Sequence, residues 1–101
     1  MADSIIDVGT GAVNTVYVIT YHNLLARWLS TNNVETVIGA PTSLMKVDVD
    51  ARGDPWVINT HGTIFQYISE VDIWYQIPYW KAKDIACGVN TGQVWIINTY
   101  G

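Results

Sequence analysis

Apolar and polar positions alternate along short stretches of this chain, and helical spacing is nowhere sustained. In Thr63-Ile64-Phe65-Gln66-Tyr67-Ile68, Phe65 and Tyr67 fall on one side and Ile64, Gln66 and Ile68 on the other, as successive side chains of a pleated strand do. Such stretches are rich in Trp, Tyr, Val, Ile and Thr. They break at Gly, Asn, Asp or Pro every 8 to 12 residues or so, the rhythm of an all-β protein. The pattern predicts strands over 5–8, 16–20, 24–28 and 34–38, then 44–49, 55–59, 63–68 and 73–77, and finally 84–88 and 93–98. Asn59-Thr60-His61-Gly62 is the expected hairpin turn between two of them, with Gly62 supplying a positive φ.

The strand pattern is periodic at a larger scale. Trp56-Val57-Ile58-Asn59-Thr60-His61-Gly62 returns as Trp95-Ile96-Ile97-Asn98-Thr99-Tyr100-Gly101, displaced by 39 residues with five of seven positions identical. A weaker copy, Tyr17-Val18-Ile19-Thr20-Tyr21-His22-Asn23, lies 39 residues earlier. A period of this length marks stacked repeats, each of which needs neighbours to bury its apolar face. Trp56-Val57-Ile58 and Trp95-Ile96-Ile97 are apolar on both sides of the strand, which suits sheets stacked face to face. The chain divides into a first repeat at about 4–42, a second at about 43–81 and a half repeat at about 82–101.

Composition narrows the range of partners. At 101 residues and 50% apolar content the chain is sized for one domain, and a domain of this size has a thin margin of stability. Only 14% of residues are charged and the net charge is -4, so neither nucleic acid nor an anionic membrane surface is an expected partner. One cysteine, Cys87, makes no internal disulfide, and no Cys/His spacing suggests zinc; no metal or cofactor is expected. Met1-Ala2-Asp3-Ser4 is acidic where a secretory signal is basic, and no apolar run is long enough for a spanning helix. The default compartment is the cytosol, or secretion without a signal recognisable in this chain.

The phrase Asp84-Ile85-Ala86-Cys87-Gly88-Val89-Asn90-Thr91-Gly92-Gln93-Val94-Trp95-Ile96-Ile97, preceded by Trp74-Tyr75-Gln76-Ile77-Pro78-Tyr79-Trp80-Lys81-Ala82-Lys83, resembles the tectonin repeat of lectin-like β-propellers. That pattern runs from an aromatic, through a short gap to Pro or Gly, to an Ile-Ala/Ser-x-Gly strand, an Asn/Asp-Gly turn and a Val-Trp strand. The likeness is strongest over 74–101 and weakest over 5–38, where Tyr17 and Thr20 stand in place of Trp and Asn; one residue too many lies between Ile85 and Trp95. The resemblance implies an all-β fold of four-stranded antiparallel propeller blades and the binding of glycans, including microbial surface sugars. Two and a half blades cannot close a ring, since propellers have about four to eight. Copies then close a ring together, grow into a filament, or the chain is part of a longer propeller.

Candidate ligand residues follow. Trp74, Tyr75, Tyr79 and Trp80 lie in or beside a Pro78-containing loop, and loops on a rigid scaffold concentrate recognition. Aromatics are equally enriched at protein interfaces. Trp56 and Trp95 are each followed at the third position by an amide, Asn59 and Asn98, a pairing that could offer a platform and a hydrogen bond to a sugar. A Trp recurring at the repeat period is more often inter-blade core, and such Asn residues more often bond their own turn. His61 and His22 align in turns and could donate to a sugar; turn histidines are more often simply solvated. Asp48-Val49-Asp50-Ala51-Arg52-Gly53-Asp54 has Arg52 at a ligand position of a calcium loop and reads as a solvated turn. Cys87 in Ala-Cys-Gly reads as a small buried residue, and with no nucleophile elbow, P-loop or metal motif the chain is not expected to be an enzyme. Two functions are expected from these observations: a multivalent oligomeric lectin, or a structural protein whose repeats serve only self-assembly into a ring or filament.

Overall fold

A computed structural model describes residues 5–11, 15–30, 33–88 and 93–98. They form nine strands: β1 (Ile5–Thr10), β2 (Val16–Thr20), β3 (Leu25–Ser30), β4 (Asn33–Thr36), β5 (Leu44–Val49), β6 (Pro55–Asn59), β7 (Thr63–Ile68), β8 (Ile73–Cys87) and β9 (Val94–Asn98). Every pairing is antiparallel and between sequence neighbours, giving one sheet ordered β1-β2-β3-β4 and another ordered β5-β6-β7-β8-β9. The first sheet is the expected four-stranded blade, here blade 1.

The second sheet departs from expectation at β8. Separate strands over 73–77 and 84–88, with a loop around Pro78, are replaced by one strand. Its first part pairs with β7 and its last part with β9. It thus serves as the outer strand of blade 2 (β5, β6, β7 and the start of β8) and as the inner strand of a half blade (the end of β8 and β9). The loop survives as an excursion: Phe65 faces Gln76 and Thr63 faces Lys81, so Ile77, Pro78, Tyr79 and Trp80 stand opposite Ile64 alone. Pro78 has no N–H to give to a ladder, and a bulge is where a strand tolerates that.

The repeat extends to single hydrogen bonds. The inner strand of each blade carries a register shift at the same place, between Ile5 and Asp7, Leu44 and Lys46, and Ala82 and Asp84. In the turn after the second strand, Asn23 N–H donates to Thr20 O (2.9 Å) and Gly62 N–H to Asn59 O (3.0 Å). Asn23 has φ 65° and Gly62 φ 83°; these are the left-handed conformations that Asn and Gly adopt at least cost. Each of these turns also holds the next blade, since Leu44 N–H donates to Asn23 O and Ala82 N–H to Gly62 O, both at 2.9 Å. The extra residue before Trp95 falls in the β8–β9 connection: Thr10 pairs with Val16 and Val49 with Pro55, but Cys87 with Val94.

Blade 2 is buried on both faces, as its Trp-Val-Ile sequence implies. On one face Val47, Val57, Phe65 and Trp74 pack with Leu44 against Ile19, Leu25 and Tyr17 of blade 1. On the other, Ile58, Ile64, Trp56 and Ile77 pack against Ala82, Ile85, Val94 and Ile96 of the half blade. Among the described residues the half blade packs against blade 2 on one side, and Trp95 (66% exposed) and Ile97 (49%) project from the other. The inner strands are clipped by carboxylates: Val47 N–H donates to Asp7 Oδ2 (2.8 Å) and Cys87 N–H to Asp48 Oδ2 (2.7 Å). Close approach of β1 to β5 requires glycine, because a Cβ on Gly9 would lie 2.7 Å from Asp48 Cα.

Candidate functional site: two inter-blade grooves

Residues directly opposite on neighbouring antiparallel strands share a face. Across blade 1, Tyr17 pairs with Arg27 and Arg27 with Glu35, so these three form a row. That row and the following Thr36, Val37 and Ile38 make one wall of a groove of about 520 Å³ between blades 1 and 2. Pro55, Tyr67, Asp72 and Trp74 make the opposite wall. Tyr67 and Trp74, partners across β7 and β8, stack with ring centroids 5.0 Å apart and planes tilted by 42°. Two aromatic walls, one guanidinium and two carboxylates therefore line one crevice.

Its electrostatics favour neutral hydrogen-bonding chemistry. Tyr67 Oη–H donates to Asp72 Oδ1 at 2.6 Å, and that bond, before any other cause, pushes the phenol up to about 12. Burial raises the Tyr17 phenol, Arg27 opposes the rise, and the charge of Asp54 adds to it. Both phenols keep their protons near neutrality and act as donors or acceptors without charge. Arg27 stands directly across the strand pair from Glu35, so cation and anion balance locally.

A second groove, of about 370 Å³, lies between blade 2 and the half blade and is lined by Trp56, Ile64, Ile77, Trp80, Val94 and Ile96. Trp56 occupies the place that Tyr17 holds in blade 1, and its row continues through Gln66 and Tyr75, the counterparts of Arg27 and Glu35. The charged pair is replaced by an amide and a phenol. The counterparts of Tyr67, Asp72 and Trp74 would sit on a third and fourth strand of the half blade, beyond β9. At one end, Trp56 and Val94 also border a smaller recess with Asp50 and Arg52. Asp50 is buried, not solvated: its Oδ1 accepts Arg52 N–H (2.9 Å) and Asp54 N–H (3.0 Å), while its Oδ2 accepts the Trp56 indole N–H (3.0 Å). The stretch 48–54 is thus a tight Asx-type turn that anchors Trp56.

The candidate residues from the sequence are distributed over these features, not gathered in one place. Trp74 lines the first groove and Trp80 the second. Tyr75 lies on the Trp56–Gln66 row, on the other side of blade 2 from Trp74. Tyr79, at the bulge with φ 72°, is almost wholly exposed and lines neither groove. Asn59 Oδ1 accepts His61 N–H and Thr63 N–H, both at 2.9 Å, which is turn chemistry, and His61 itself is exposed. Asn98 ends β9 opposite Ala82. Tyr100 and Gly101 lie outside the described residues. Cys87 is half-buried on β8, and burial first, then the charges of Asp48 and Asp50, push its thiol up to about 12, which suits an inert side chain.

Sequence reasoning missed Arg27, Glu35, Tyr67 and Asp72. The usable signal was register: once β2, β3 and β4 are paired, Tyr17, Arg27 and Glu35 fall in one row, and Tyr67 and Asp72 flank the β7–β8 connection.

No family model matches the sequence, and no curated protein matches it. A solved structure titled "Streptogramin B lyase structure" superposes with a TM-score of 0.65 at 10% identity, covering 93% of this chain and 34% of that one. The chain thus spans about a third of the length of the structure it matches. Identity this low speaks to fold alone, and the lyase activity in that title belongs to that protein. The fold is established at the level of an all-β, partial β-propeller; membership of the tectonin family is not shown.

Proposed function

We propose that the chain is a carbohydrate-binding propeller module whose ligand site is the groove between blades 1 and 2. The observation that supports this is the facing of the Tyr17–Arg27–Glu35 row and the Tyr67–Asp72–Trp74 group across about 520 Å³. That volume falls in the ordinary range for small-molecule sites, roughly 300–1,000 Å³. Aromatic faces accept the C–H surface of a sugar ring, and a guanidinium with two carboxylates offers the paired donors and acceptors that vicinal hydroxyls require. The phenols of Tyr17 and Tyr67 hold their protons and can offer a sugar uncharged hydrogen-bonding groups. The ligand class is a neutral mono- or disaccharide with one apolar face, such as a methylated or microbial surface sugar.

Titration calorimetry against a panel of such sugars tests the reading, using Arg27→Ala, Glu35→Gln and Trp74→Ala beside Tyr79→Ala as an off-site control. Each groove variant is expected to weaken binding at least about tenfold, the cost of one lost charged or stacking contact. Binding that survives all three, or that is lost only with Tyr79→Ala, would exclude this groove. The second groove does not repeat its polar set, so multivalence would come from copies of the chain and not from repeats within it. A second reading, a self-assembling structural module, is favoured by the exposed Trp95 and Ile97. Native mass measurement separates the two: assembly with indifference to every sugar supports the structural role.

A further inference from the structure

We propose that Ile38 makes the groove between blades 1 and 2 select 6-deoxy sugars, rings that carry a methyl group where the parent hexose carries a hydroxymethyl. This rests on the sugar-site reading and narrows its ligand to one substituent.

The turn that holds Ile38 is repeated in blade 2. Glu35 and Tyr75 occupy equivalent register positions, so Val37, Ile38 and Gly39 correspond to Ile77, Pro78 and Tyr79. The first residue of each turn packs inward, Val37 on the core shared by blades 1 and 2 and Ile77 on the core shared by blade 2 and the half blade. The third is left-handed in both, with φ 83° at Gly39 and 72° at Tyr79. The two turns differ in the second residue. Pro78 is an ordinary turn residue whose ring presets φ. Ile38 brings the turn no such advantage, and neither core takes its side chain, which is 93% exposed. The backbone is fixed on both sides of it: Val37 N–H donates to Leu25 O at 2.9 Å, and Ala40 packs against the same core as Val37. An apolar side chain is thus held in water at a set place, and that place is the lip of the groove.

On the same wall Arg27 and Glu35 are exposed, and Tyr67 and Trp74 face them from the other. Within this crevice a pyranose lays its C–H face on Trp74, gives ring hydroxyls to Arg27 and Glu35, and brings a further substituent to Ile38. A hydroxyl placed there leaves water and gains no partner, because Ile38 has no polar atom to offer. A methyl group covers the side chain, and both surfaces leave water together. A difference of this size in an apolar contact discriminates by about tenfold or more.

Two pairs of sugars that differ only at C6, L-fucose with L-galactose and L-rhamnose with L-mannose, test the proposal by titration calorimetry. The wild type is expected to bind at least one deoxy member about tenfold tighter than its parent. Ile38→Ala should bring that ratio to within about twofold, chiefly by weakening the deoxy sugar, and Ile38→Val should retain most of it. Because the side chain is exposed, neither variant should move the melting temperature by more than about 3 °C. Trp74→Ala, by contrast, should weaken both members of a pair alike. A wild type that binds none of these four sugars and none of the wider panel overturns the site reading and the preference with it. Trp74-dependent binding of any sugar without a preference for a deoxy member, or with a preference that survives Ile38→Ala, overturns the role of Ile38 alone.

Discussion

The two grooves are built on one plan and differ in what the second blade supplies. In the first, blade 2 brings four strands and so contributes Tyr67, Asp72 and Trp74 as the far wall. In the second, the described residues of the half blade form two strands and contribute Val94 and Ile96 to the lining. Inner strands make the hydrophobic joint between blades, while the outer pair makes the polar mouth. A joint can therefore form without a mouth, and the second groove is such a case. Its lining is apolar, whereas the lining of the first, the site we propose, mixes aromatic and charged side chains.

Core truncation separates the two joints most strongly. Leu44→Ala, at the fully buried joint between blades 1 and 2, is expected to cost roughly 2–5 kcal/mol in urea unfolding, as large-to-small core changes do. Ile85→Ala, at the half-blade joint, is expected at the lower end of that range, near roughly 2 kcal/mol, because neighbours on its open side can relax. Equal costs would mean that the half blade is packed as tightly as a whole one. Gly9→Ala should cost roughly 1–3 kcal/mol, since the added methyl meets β5 backbone and not a flexible side chain. The equivalent position on the half blade already holds Ala86, so Ala86→Ser there is expected to be nearly silent.

Asp50→Asn tests the anchor of Trp56. An amide cannot accept at both oxygens, so either the turn N–H groups or the indole N–H loses its partner, at roughly 1–3 kcal/mol. Trp56 emission should shift, whereas Tyr67 in the other groove should titrate as before. The smallest effects are in pH. Because the folded Tyr67 phenol is raised to about 12 from 10.0, the stability linked to it is complete below about pH 10 and is lost as the pH climbs through 12. Absorbance titration should find its phenolate late, and Asp72→Asn should return it toward the ordinary value. By the same sign, Cys87, raised to about 12, should react slowly with thiol reagents at pH 8 until the chain is unfolded.

Much of the architecture was legible because it is written twice. The alternation in 63–68, the Gly62 turn and the Trp56 repeat each state a local rule that the backbone obeys, and all appear at the expected places. The continuity of β8 was not legible, because Pro78 argues locally for a break and only the bulge opposite Ile64 reconciles it with a strand. The groove was less legible than the fold for a related reason. Aromatic density drew attention to 74–80, but pleat alternation sends Trp74 and Tyr75 to opposite faces, and Arg27 and Glu35 stand out only once strand register is known. Asn59 was read from its residue type in both ways, and the described hydrogen bonds are those of the turn.

Strand β8 ties the second sheet into a single cooperative unit, since its first part pairs with β7 and its last part with β9. Blade 1 has no shared strand with its neighbour and reaches it through the connection that contains Gly39 and Pro41. Amide hydrogen exchange should accordingly show β1–β4 opening as a separate foldon, ahead of β5–β9. Under an applied pull the molecule should yield first at that connection, in two steps and not three.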